Sequence, residues 1–357
     1  MAMTGKAGER GSPQHRRRWR PPLLAAASCI LLFLFFAGWK HWSRLVGGES
    51  SGPDRDAVLV SVAGADILVP RATWDRLGEK AGKAISRHIE SEVEAARTAV
   101  ARLLGLDPPK GVVVDTTLAD LPEFAARLRR YPWHLTWPVV DSPVDGNSAA
   151  DRPAAGLARN EGGAVQWPER SILRHEVAHA LARTGSPEHA RTGSEGGYGT
   201  DLPDWLDELP AIFAEDEKLS NRRRALWQSF CRRHGRLPFP LSRFFAMEHP
   251  LWGDREFREA VRLRNGGQGA RIRGTRTIVL SRSRFQALSQ EAAIYSAQVR
   301  GLIDFLADAD SLAVVAILMK KGGRSELKDP AVVSGIFRTR GVDLTEDKLF
   351  AYCAGAG

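Results

Sequence analysis

The longest apolar stretch of the chain runs uncharged from Leu23 to Trp39; beyond it, apolar residues recur at the spacings of short strands and amphipathic helices. With Pro21 and Pro22 the run is about 19 residues, which at about 1.5 Å per residue nearly spans a ~30 Å hydrocarbon core. Trp39 and Trp42 suit an interfacial aromatic belt, and the cluster Arg16-Arg17-Arg18-Trp19-Arg20 suits the cytoplasmic side. A cleaved signal peptide is the rival reading, but bulky and charged residues stand at the exit, where small ones are wanted. The pattern therefore predicts a cytoplasmic tail over 1–20, an uncleaved single-pass signal anchor over 21–39, a flexible linker over 40–56, and an extracytoplasmic remainder.

Within that remainder, Ala57 to Val69 alternates around Gly64-Ala65-Asp66 and predicts a hairpin. Trp74 to Leu104 has helical apolar spacing and is ended by Gly105 and Pro108. Val112 to Val114 predicts a short buried strand, and Leu118 to Leu128 another helix. Residues 141–153 are polar and proline-rich, hence a loop. Ala155 to Arg159 and Gly163 to Trp167 predict two short strands. Gly185 to Thr200, rich in Gly, Ser and Thr, reads as a flexible loop. The chain after Glu215 is mostly helical, with an Arg/Gly-rich break near 264–276. Residues 57–150 form an N-terminal α/β part and 151–357 a second region that carries the candidate chemistry.

That chemistry starts from His175-Glu176-Val177-Ala178-His179, an HExxH frame inside a run of helical spacing in which Ile172, Leu173, Val177, Ala180 and Leu181 fall near one stripe. Residues four apart on a helix lie one above the other. Two imidazoles so placed can ligate one Zn2+, with Glu176 close enough to take a proton from a bound water. Such a frame arises by chance in about one chain per hundred of this size, so the motif needs context. Zinc needs a third protein ligand. Ala182 and Gly185 stand where an HExxHxxGxxH extension would need Gly and His, so the third ligand must come from elsewhere.

Downstream, Leu202-Pro-Asp-Trp-Leu-Asp-Glu-Leu-Pro-Ala-Ile-Phe-Ala-Glu215 resembles the P-x-W-L-x-E-G-x-A-x-x-x-E segment of gluzincin metallopeptidases, the aminopeptidase-N-like and peptidase-MA-like group. The two motifs together cover about 45 residues. The resemblance implies an α+β fold with a thermolysin-like zincin catalytic domain: a small edge-stranded sheet, the HExxH helix, then a mainly helical C-terminal part. It implies Glu208 as third ligand and Glu215 as the carboxylate that orients a ligand histidine. It also implies a tyrosine, for which Tyr295 in a helical run is the candidate and Tyr198 the rival, donating to the developing negative charge. Leu209 replaces the family glycine, and Pro210 follows. A proline there is tolerated if the helix starts late, near Asp207, or kinks.

The formal net charge of +9 changes little. Most of it lies in the first 44 residues, on Lys6, Arg10, Arg16, Arg17, Arg18, Arg20, Lys40 and Arg44 against Glu9. The nearly neutral remainder gives no argument for nucleic acid. The clusters Arg222-Arg223-Arg224, Arg232-Arg233 and Arg255 through Arg276 read first as solvated surface, and otherwise as contacts to anionic headgroups or envelope polymers. Cys29 lies in the expected span, which leaves Cys231 and Cys353 as the two cysteines that could pair in an oxidising compartment. The expectation is thus a membrane-anchored, Zn2+-dependent metallopeptidase acting on peptide or protein substrates, with His175, His179 and Glu208 as ligands and Glu176 and Tyr295 as catalytic groups. The alternative is a catalytically inactive zincin-fold scaffold or binding protein of the cell envelope.

Overall fold

The computed structural model describes residues 57–119, 127–137, 171–185, 202–257, 282–321 and 325–355, together with residues 121, 124 and 139. The expected anchor, the strands over 155–167, the loop beyond Gly185 and the break near 264–276 lie outside the described residues. Among the described residues, no helix is long and apolar enough to cross a membrane.

The expected hairpin forms from β1 (Ala57–Val62) and β2 (Ala65–Pro70), paired antiparallel. Its turn needs Gly64: φ is +76°, and an added Cβ would lie 2.6 Å from the Arg97 side chain. Helix α1 (Arg71–Leu104) then crosses to β3 (Gly111–Asp115), which runs parallel to β2. Gly78 breaks the helical backbone near the start of α1, and Gly105, in the left-handed conformation, ends it by donating to the Ala101 carbonyl. Ile85, Ile89, Val93, Ala96, Val100 and Leu103 recur every three to four residues on its buried face.

Alternation decides which face each strand residue serves. Ile67, Val69 and Val113 join the main core with α1, whereas Leu68, Val112 and Val114 face a smaller cluster with Leu118, Phe124 and Leu128. The sheet is thus covered on both sides, which explains why the valine run of β3 carries no alternation in sequence. Of the helix expected over Leu118–Leu128, the described residues show α2 (Thr116–Ala119) and further helical positions at Phe124, Arg127 and Leu128. The sequence reading missed β4 (His134–Trp137), parallel to β3 at the end of a four-stranded order β1-β2-β3-β4.

Beyond β4 the described elements are helical: α3 (Ser171–Thr184), α4 (Asp204–Ala214), α5 (Glu217–His234), the short α6 (Leu241–Ala246) and α7 (Pro250–Gly253), α8 (Arg282–Asp308), α9 (Ala313–Lys321), α10 (Pro330–Arg338) and α11 (Glu346–Ala354). Among the described residues the fold is therefore mixed and mostly helical, with a small four-stranded sheet. One apolar cluster runs from Ala65 in β2 to Cys353 in α11, with Val177 and Leu181 of α3 and Leu206, Leu209 and Ile212 of α4 inside it.

Side-chain ties hold α5 against its neighbours. Cys231 and Cys353 form a disulfide, Cα atoms 6.0 Å apart, that joins α5 to α11. Arg224 grips Asp304 of α8 with Nε–Oδ2 at 2.7 Å and a second nitrogen to Oδ1 at 3.0 Å, while Arg300 also donates to Asp304. Burial alone would raise the Asp304 pKa, but the bonds from Arg224 and Arg300 bring it below the ordinary value. A carboxylate depressed in this way stabilises the fold above its unfolded pKa of about 3.9 and loses that contribution as pH falls through the lower folded value. Asp304→Asn should therefore weaken the protein at neutral pH and flatten its acid limb of stability. Denaturant unfolding measured from neutral pH down to about pH 2, across the Asp304 window, would show an unchanged limb if the pair contributes nothing.

Candidate metal centre

Helix α3 brings His175 and His179 to one face, and α4 is set across it by the burial of Trp205. That indole is fully buried, 4.9 Å from the Phe245 ring. Glu208, one turn beyond Trp205, is thereby turned toward α3. Arg174 donates to the buried Glu92 of α1 at 2.9 Å, which fastens the metal-helix candidate to the sheet side.

The donor atoms converge. His175 Nε2 and His179 Nε2 are 3.2 Å apart, and the two Glu208 oxygens lie 3.7 Å from one and from the other. All three ligand atoms fall within 4.8 Å of one another. Ligands bound to Zn2+ at about 2.0–2.1 Å in a tetrahedron are about 3.3 Å apart, so the observed spacing fits one small cation. The expected ligand set is brought together by the fold.

Carboxylates stand behind both imidazoles. Glu215 Oε1 is 2.9 Å from His175 Nδ1, and Asp207 Oδ2 is 3.6 Å from His179 Nδ1. The His175 ring is thereby held with Nε2 toward Glu208, while Asp207 stands near His179 at charge-pair distance rather than in a hydrogen bond. The resemblance implied Glu215 as the carboxylate that orients a ligand histidine; α4 ends at Ala214, and Glu215, its C-cap, reaches His175 from beyond the helix end. Arg223 completes this side with bonds to both Glu215 oxygens, at 2.6 and 2.5 Å.

Charges follow from these contacts. Burial alone would lower the pKa of His175, but the bond to Glu215 and the charges of Glu208, Glu215 and Glu176 push it up to about 9 in the metal-free protein. Burial, with the neighbouring positive charge of His175, holds His179 well below the usual imidazole range, so its Nε2 lone pair stays available. Glu215 is kept ionised by Arg223 against the opposing effect of burial. Glu176, between the two histidines, is half-buried, as is His175, so this rim of the cluster is the part open to solvent.

Tyr295 lies beside the acidic cluster. It is fully buried, its ring edge-on to His249 at 5.3 Å, and its hydroxyl has no hydrogen-bond partner among the described residues. Burial, followed by the charges of Asp204, Glu208 and Asp207, raises its pKa well above the ordinary value, so it remains a donor. Tyr198 lies outside the described residues.

Helix α4 starts at Asp204, not late, and continues through Pro210. Its first turn carries Asp204 and Asp207, which suit a helix N-terminus, and the Leu206 and Asp207 N–H groups both reach the Pro203 carbonyl. Leu209, which stands where the resembling gluzincin segment has glycine, is fully buried and fills space in the main core. The Arg222–Arg224 run is not a solvated face either. Consecutive helix residues point about 100° apart; Arg222 is exposed, Arg223 buried and Arg224 half-buried.

Asp207 and His249 are polar groups of this region that sequence reading passed over, and Arg223 is one that it read first as solvated surface. Asp207 could have been found from its place beside Glu208; His249 carries no motif, and its backbone N–H is held by Asp204 at 2.6 Å. No protein-family model, curated protein or solved structure matches the chain.

Proposed function

We propose that the chain is a zinc-dependent metallopeptidase of the gluzincin type, with a thermolysin-like catalytic domain tethered to the cell membrane by residues 21–39 and facing the extracytoplasmic side. The observation that carries the reading is the convergence of His175, His179 and Glu208 from two packed helices, with a carboxylate behind each imidazole. When bound, Zn2+ would polarise the scissile carbonyl and ease deprotonation of water. Glu176 accepts the proton of the attacking water and returns it to the leaving amine. Glu215 orients the His175 imidazole, and Tyr295 is the donor candidate for the carbonyl oxygen once the site rearranges to admit substrate. The disulfide suits an oxidising compartment, in keeping with an extracytoplasmic domain.

Full-length protein purified in detergent should carry about one Zn2+ per chain, since three ligands with an open position suffice. His175→Ala and His179→Ala should each abolish retention. Elemental analysis showing full zinc in both variants would remove the site.

A further inference from the structure

We infer that Arg223 is a positioning residue for the metal centre: acting through Glu215, it fixes the His175 ring with Nε2 turned toward His179 and Glu208. The inference rests on the metal-site reading above. A single bond between His175 and Glu215 would leave the carboxylate free to rotate about its own side-chain torsions. The guanidinium of Arg223 removes that freedom, because its fork holds both Glu215 oxygens, at 2.6 and 2.5 Å, and so sets the carboxylate plane. The oxygen gripped by one arm, Oε1, is the same atom that lies 2.9 Å from His175 Nδ1.

Stability by itself is a poor reason for this pair. Arg223 is 6% exposed and Glu215 7%, and an ion pair so deeply buried is often replaced by apolar residues without loss. What apolar residues could not supply is an oriented acceptor for the His175 ring. The element that delivers Arg223 is tied covalently to its neighbour: two turns on, Cys231 is bonded to α11. The position of His175 is thus set by α5 as well as by its own helix.

The test uses full-length protein in detergent with Co2+ alone as probe, reading both affinity and the visible spectrum at saturation. Arg223→Met should bind Co2+ about 10–100-fold more weakly, the usual loss on removing a group that supports a ligand, and should show an altered spectrum. Arg224→Met, which breaks a more exposed ion pair one residue away, should lower thermal stability but leave affinity and spectrum at wild-type values. An Arg223→Met protein with lowered stability but wild-type affinity and spectrum would reduce Arg223 to a structural charge partner and overturn the inference. Should that variant fail to fold, Arg223→Met with Glu215→Gln removes both buried charges. It should fold, still with weakened affinity and an altered spectrum; wild-type values there overturn the inference equally. Failure of the wild-type protein to take up Co2+ would sink the metal-site reading itself, and this inference with it.

Discussion

Glu176→Gln should keep its metal while peptide hydrolysis falls by a factor on the order of 10²–10⁴, the usual worth of a positioned general base. The amide preserves the shape of the carboxylate but cannot take up the proton. Glu176 is half-buried on the open rim of the cluster, so the change should disturb packing little. Glu208→Ala should behave differently. Glu208 is buried between the two Nε2 atoms, so its loss should empty the site of metal along with the activity. The contrast between the two variants separates base from ligand. Glu208→Ala retaining zinc would show the third ligand to be misassigned. A wild-type protein that binds zinc yet cleaves no member of a broad peptide library would leave the scaffold reading in place of the enzyme.

Replacing Cys231 and Cys353 by Ser should lower stability by about 2–5 kcal/mol, the range for a native disulfide closing a long loop. The bridge spans 122 residues and lies in the core, so its removal both frees the unfolded chain and leaves two polar side chains at fully buried positions. Guanidinium unfolding would measure it, with a loss well under about 1 kcal/mol counting against a long-loop contribution. Thiol titration gives an independent check. Denatured, unreduced protein should show one thiol per chain, that of Cys29, and three after reduction. Three thiols before reduction would mean that the bridge does not form in the protein as made.

Several elements could be read from local pattern because the chain states them twice. The hairpin shows both alternation and a glycine at the one backbone position that needs it, Gly64. Helix α1 shows both a 3.6-residue apolar stripe and a left-handed glycine terminator at Gly105. β4 states neither. His134-Leu-Thr-Trp137 is four residues long and becomes a strand because β3 offers it a parallel edge, which no local window contains.

The same division holds at the candidate site. The sequence by itself determined the i, i+4 histidine pair with its intervening glutamate and, through the resemblance of the Trp205–Glu215 segment, Glu208 and Glu215 as their companions. Helical periodicity alone puts His175 and His179 on one face. Only the tertiary structure decided that Glu208 lies 3.7 Å from each ring, that Glu215 reaches His175 from beyond the end of its helix, and that Asp207 stands behind His179. It alone buried Arg223 between an exposed Arg222 and a half-buried Arg224, and paired Cys231 with Cys353. The physical reason is range: periodicity fixes the direction of a side chain about its own helix axis, whereas a contact across helices depends on how separate apolar faces, Trp205 and Leu209 among them, are packed into one core.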